Sequence, residues 1–199
     1  ADAAVEALWP GAELKKARAY LYTCVSYLRR SLQAGGIDAT VDKAGQGYFM
    51  DLKDVRSDEA ELAAILDDVH GGGELDARTY ERMGALYAGG YMEGCDYEWA
   101  SWKRGKLQSR YIQALRILHR QYLRNGDLPL AADSLQRVLA LMPDSEADGR
   151  ELIRLHLNTG NRNEALKVYR QLHEAVRTQM GVELEEETAE LYRSLVAGV

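Results

Sequence analysis

The chain has 199 residues, 46% of them hydrophobic, and a formal charge of −6. That size suits one large domain or two small ones, and a net negative charge argues against a protein that coats nucleic acid or membrane without selectivity. No apolar run approaches the roughly 18 residues needed to span a bilayer, and the two cysteines, Cys24 and Cys95, are far apart and form no CxxC pair, so a reduced, cytoplasmic setting is expected.

In chain order, DAAVEALW (2–9) predicts a short helix stopped by Pro10-Gly11. LKKARAYLYTCVSYLRRSL (14–32) opens a longer one. Its apolar positions, Ala17, Leu21, Cys24/Val25, Leu28 and Leu32, step by threes and fours along one face. Gly35-Gly36 end it. Thr40/Val41 and Tyr48/Phe49/Met50 flank Gly45-Gln46-Gly47, which predicts a β-hairpin. Residues 1–53 therefore spell helix, turn, helix, hairpin.

The remainder, 54–199, is expected to be helical. Asp58 is placed to cap a helix, with Glu61 reaching back, and Leu62, Ile65, Leu66 and Val69 form its stripe. Gly71-Gly72-Gly73 break it, and Tyr80, Met83, Leu86 and Tyr87 mark a helix over roughly 76–88. GGYMEGCDYEWASW (89–102) predicts a loop whose rings dock on neighbouring helices. From about 104 there is an internal repeat: Asn125-Gly126-Asp127 recurs as Thr159-Gly160-Asn161, 34 residues later. Leu115, Leu118, Tyr122, Ala131, Leu135 and Pro143 surround the first copy; Leu152, His156, Ala165 and Tyr169 surround the second. Period and small–large alternation are those of tetratricopeptide helix pairs, which bury their apolar faces only by stacking. A helix over 162–179 and a last one opening in EEETAELYRSL, its carboxylates at the positive end of the helix dipole, complete a right-handed, TPR-like stack.

Catalytic signatures are missing. There is no GxxxxGK[ST] and no GxSxG, and GQGYFM fails GxGxxG and falls in a hairpin. His70, His119, His156 and His173 are scattered, with no ligand spacing, and are expected to pack or hydrogen-bond in helix interfaces. Glu185-Glu186-Glu187 reads as a solvated helix start, and Cys95 as a small core residue. No cofactor or metal is expected, and no enzyme activity.

The opening helix is different. It carries Lys15, Lys16, Arg18, Arg29 and Arg30 and no carboxylate, in an acidic chain. A helix, a short turn, a basic helix and a hairpin is the order of a winged helix-turn-helix, whose second helix enters the major groove and whose hairpin follows the adjacent backbone. With the apolar face inward, Lys16, Tyr20, Thr23, Tyr27 and Arg30 point outward, flanked by Arg18, Tyr22, Ser26 and Arg29. Cations neutralise phosphate or read guanine, and hydroxyls meet phosphate oxygens or base edges. Lys15, Lys16, Arg18, Tyr20, Thr23, Tyr27, Arg29 and Arg30, with Lys43 near the hairpin turn, are the candidate DNA-binding residues.

ALWP, then KARAYLYTCVSYLRRSL, then AGQGYFMDL resembles the OmpR-like winged helix of the antibiotic-regulatory (SARP-type) transcription factors. From roughly 58 onward, YAGGYMEGCDYEW, the NGD and TGN turns and QMGVELEEETAELYRSL resemble the bacterial transcriptional activator domain that follows it in those proteins. The resemblance implies a cytoplasmic, sequence-specific activator of double-stranded promoter DNA, without cofactor or catalysis. Such modules also form the output part of response regulators, in two-component phosphorelays. The helical repeats would mediate a homodimer, or contact RNA polymerase or other regulatory domains. The other reading is a TPR-like protein-interaction scaffold that binds no DNA. Two departures stand out. The chain starts at what would be the winged helix's second helix, so a fragment is expected, with the apolar face of 14–33 covered by the helical domain or a second copy. Phe49 stands where relatives often carry a basic residue.

Overall fold

The computed structural model describes residues 1–37, 40–45, 47–50 and 57–197. Among them the elements run α1 (Asp2–Leu8), α2 (Leu14–Ala34), β1 (Val41–Ala44), β2 (Gly47–Met50), α3 (Asp58–His70), α4 (Ala77–Tyr87), α5 (Glu98–Asn125), α6 (Leu128–Leu141), α7 (Glu146–Asn158), α8 (Arg162–Met180) and α9 (Glu186–Ala197). The protein is mostly α, with one two-stranded antiparallel hairpin. No helix among the described residues is long and apolar enough to cross a membrane. Contacts divide the chain into two units: Ala1–Ala64 with Gly84–Leu107, and Ile65–Met83 with Gln108–Val199. The domain boundary expected at 53/54, and Gln46 of the hairpin turn, lie outside the described residues.

In the first unit, Val5 of α1, Ala17, Leu21 and Val25 of α2, and Val41 of β1 form a small core. Leu8, Trp9, Leu32, Tyr48 and Met50 pack around it. The α2 stripe is narrower than its periodicity suggests. Ala17, Leu21 and Val25 are buried, whereas Cys24 is exposed and Leu28 is 43% exposed. Periodicity sets the phase of a stripe but not its width: α1 and the hairpin cover one side of it. In the hairpin Val41 pairs with Met50, Asp42 with Phe49, Lys43 with Tyr48 and Ala44 with Gly47. Alternation therefore puts Val41, Lys43, Tyr48 and Met50 on one face and Phe49 on the other. Gly45 turns the chain at φ +56°.

The cap of α3 sits one residue earlier than predicted. Ser57, not Asp58, is the residue before the helix, and its Oγ accepts from the Ala60 amide at 3.3 Å. Asp58 is the first helical residue and accepts from Glu59 N. The aromatic segment also differs. Glu98 begins α5, so Trp99 and Trp102 are helical. Their rings do not dock as expected: Trp102 is 68% exposed, and Trp99 stacks on Tyr97 at 5.7 Å between centroids. The preceding loop is held by Arg104, which donates to the carbonyls of Tyr91, Met92 and Cys95 at 2.8–3.1 Å.

The second unit carries the repeat. Asp127 N donates to Tyr122 O and Gly126 N to Leu123 O; 34 residues on, Asn161 N donates to His156 O and Gly160 N to Leu157 O. This double bond at a left-handed glycine is the Schellman closure of a helix, with φ +79° at Gly126 and +74° at Gly160. Beyond it, α6 packs on α7, α7 on α8, and α9 on both α7 and α8. Leu135, Leu152, Ile153, Ala165, Val168 and Leu195 form the shared core. The repeat-related alanines Ala131 and Ala165 are both fully buried. Replacing Ala131 by Leu should overpack its site and lower stability by about 1–3 kcal/mol in a denaturant melt. A neutral change would show that the 34-residue alignment is off.

Candidate nucleic-acid interface

Two exposed stripes run along α2; each has a tyrosine in ring contact within the unit, Tyr20 with Trp9 and Tyr22 with Tyr48, and they differ in how their cations are held. The first holds Arg18, Tyr22 and Arg29, and each of these is engaged inside the first unit. Arg18 donates from Nε and Nη2 to the two Asp2 carboxylate oxygens, at 2.8 and 2.7 Å. That hydrogen-bonded pair holds the Asp2 carboxyl below its ordinary range and the guanidinium above its own. Tyr22 meets Tyr48 of β2 edge-on, with centroids 6.4 Å apart. Arg29 donates from Nε to the Val41 carbonyl at 2.7 Å, and from Nη2 to the same oxygen. Arg18 and Arg29, two of the three arginines expected to face DNA, thus contact α1 or the hairpin.

The second stripe is Lys16, Tyr20, Thr23, Tyr27 and Arg30, spaced i, i+4, i+7, i+11 and i+14 and exposed throughout. Tyr20 and Tyr27 are 62% and 61% exposed. Thr23 Oγ donates back to Ala19 O at 3.1 Å, so its lone pairs remain as acceptors. Arg30 lies over the Tyr27 ring, 5.1 Å from its centroid, and Nη2 is 3.3 Å from Ser26 Oγ. Lys16 pairs with Glu13 at 2.8 Å, with both side chains largely exposed. A surface pair of this kind contributes about 0–1 kcal/mol, so Lys16 is readily released to another anion. Lys15 and Lys43 are exposed. At about 1.5 Å of rise per residue, Lys16 and Arg30 stand about 21 Å apart along the axis. Hydroxyl groups fill the span between the two cations.

A second basic stretch shows that cations of an acid-free helix can pair with carboxylates of other elements. From Trp99 to Asn125 α5 has no carboxylate. Lys103 nonetheless pairs with Glu59, Arg110 with Asp67, and Arg116 with the buried Asp148. Lys106 covers the Trp102 ring. Acid-free sequence alone therefore does not mark an interface.

The family model for the bacterial transcriptional activator domain matches residues 58–196. The chain belongs to this family. No curated protein matches it in a sequence search. The activator domain begins with α3 and takes in α3 to α9, so every candidate DNA-binding residue precedes it.

Within the activator domain the histidines pack or hydrogen-bond. His119 is buried, with Nδ1 donating to Ala131 O at 2.9 Å and Nε2 3.3 Å from Glu151. Burial pushes the His156 imidazole below its ordinary value. His173 stacks on Tyr169, and His70 Nδ1 bonds Leu66 O. The Glu185–Glu187 run is paired rather than merely solvated: Glu185 bonds Arg150, Glu187 bonds Arg154 at 2.7 Å, and Glu186 bonds Arg193. Glu187 ties α9 to α7, and Glu185 ties the residue before α9 to the same helix. Leu139, Ala140, Pro143, Leu152, Val168 and Leu172 line a groove of about 570 Å³ in the second unit.

Proposed function

We propose that residues 1–53 are part of an OmpR-like winged helix-turn-helix and that the protein is the output region of a cytoplasmic, sequence-specific transcriptional activator. The observation that carries this is the exposed Lys16–Tyr20–Thr23–Tyr27–Arg30 stripe of α2, beside a hairpin that carries Lys43. Cations at the ends of the stripe meet phosphates on the two sides of the major groove, and Tyr20, Thr23 and Tyr27 meet base edges. Lys15 and Lys43 add phosphate contacts. Arg18 and Arg29 leave the first rank of DNA ligands because their guanidinium groups already have partners. Residues 54–199 act as TPR-like helical repeats that self-associate or hold RNA polymerase or another regulatory domain, the groove beside Leu139 and Val168 being one surface for this. A receiver domain upstream would place the region in a two-component phosphorelay.

Titrating a labelled duplex with the intact protein over a range of salt tests this reading. Binding should weaken steeply as salt rises, because each neutralised phosphate releases counterions. Absence of any duplex binding at low salt would leave the scaffold reading, in which α2 only packs.

A further inference from the structure

We propose that Arg29 is a positioning residue that braces the hairpin against α2 and so sets where Lys43 meets the DNA backbone; this rests on the DNA-binding reading above. A two-stranded hairpin on its own is marginally stable in water, and among the described residues this one is bound to α2 at three places. Val41 is buried in the core with Leu21 and Val25. Tyr48 meets Tyr22. Arg29 grips the Val41 carbonyl with two donors of its fork. The first and third act on the same residue, at the base of β1. Lys43 stands two residues further toward the turn, on the same face as Val41 and opposite Tyr48. A rotation of the hairpin about its base would therefore swing Lys43 away while leaving α2 intact. The grip depends on the planar guanidinium: an ammonium is a point donor and cannot hold one carbonyl from two nitrogens.

Positioning and direct phosphate binding predict different results, measured as the salt dependence of binding to a labelled duplex of arbitrary sequence. Lys43→Ala should reduce the slope of log K against log salt by about one unit. Arg29→Lys should do the same although it keeps the charge, and the double variant should also lose about one unit rather than two. Wild-type behaviour in Arg29→Lys, or additive losses in the double variant, would make Arg29 a phosphate ligand and overturn the proposal. A second measurement needs no DNA. Amide hydrogen exchange in β1 and β2 should accelerate in Arg29→Lys while the Val25 amide of α2 stays protected; unchanged hairpin exchange would overturn the brace even if DNA binding holds. If the wild type binds no duplex, the DNA-binding reading fails and the role of Lys43 falls with it. Hairpin exchange then still decides whether Arg29 is a structural brace.

Discussion

Tyr80→Ala should lower the unfolding free energy by about 3–5 kcal/mol, the cost of removing a fully buried aromatic ring. Tyr80 has no exposed surface. Its ring meets Tyr122 edge-on at 5.6 Å, and the Arg137 guanidinium sits 4.5 Å above it. Its hydroxyl donates to Asp133 Oδ2 at 2.7 Å and lies 3.2 Å from Ser134 Oγ, whose own proton goes to Leu130 O at 2.8 Å. Arg137 joins the same group through Asp133 at 2.6 Å and Glu81 at 2.7 Å. Burial holds the Tyr80 phenol far above its ordinary pKa, so it remains a donor at any working pH; Tyr122 is pushed up to about 12 by the same cause. Tyr80→Phe separates the ring from the hydroxyl. It should cost only about 1 kcal/mol, because Asp133 keeps Arg137 and Ser134 keeps its bond to Leu130 O. Denaturant melts of both variants check this, with the midpoint moving and the slope m constant. Equal losses in the two variants would mean that the hydroxyl network, not the ring, holds α4 to α6.

The largest effect on binding should come from removing both ends of the α2 stripe. If Lys15, Lys16, Arg30 and Lys43 each neutralise a phosphate, log K falls against log salt with a slope of about −3.6, so a fourfold rise in salt weakens binding about 150-fold. Lys16→Ala with Arg30→Ala should halve that slope, to about −1.8, and weaken binding to all sequences alike. Loss of the Glu13 pair and of the Tyr27 cation–π contact costs the fold little, since both are at the surface. Thr23→Ala or Tyr27→Phe should instead change preference among sites and leave the slope unaltered, because these groups carry no charge. Should the double variant keep wild-type affinity and slope, the stripe is a solvated surface and the interaction-scaffold reading replaces the DNA-binding one.

Local spacing sufficed for much of this protein. The helices α1, α2, α4 and α6 to α9, the hairpin and each of the two glycine turns follow from residues within a few positions of each other. A 3.6-residue period, a left-handed glycine and short apolar segments flanking a glycine turn are short-range signals, and the backbone answers them locally. What tertiary structure decided is which side chains remain available. Arg18 and Arg30 look alike in sequence, but Asp2 reaches Arg18 from sixteen residues away and no described carboxylate reaches Arg30. Arg29 becomes a brace only because β1 returns its carbonyl to α2. Leu28 and Cys24 share the phase of the buried stripe and yet stay exposed, because a stripe records a face and not its neighbour. Glu185 and Glu187 change from solvated charges to ties because α7 presents Arg150 and Arg154 to them. Pairing and burial depend on groups distant in sequence, so the chain's spacing located the elements, and only their packing divided its cations into struts and free charge.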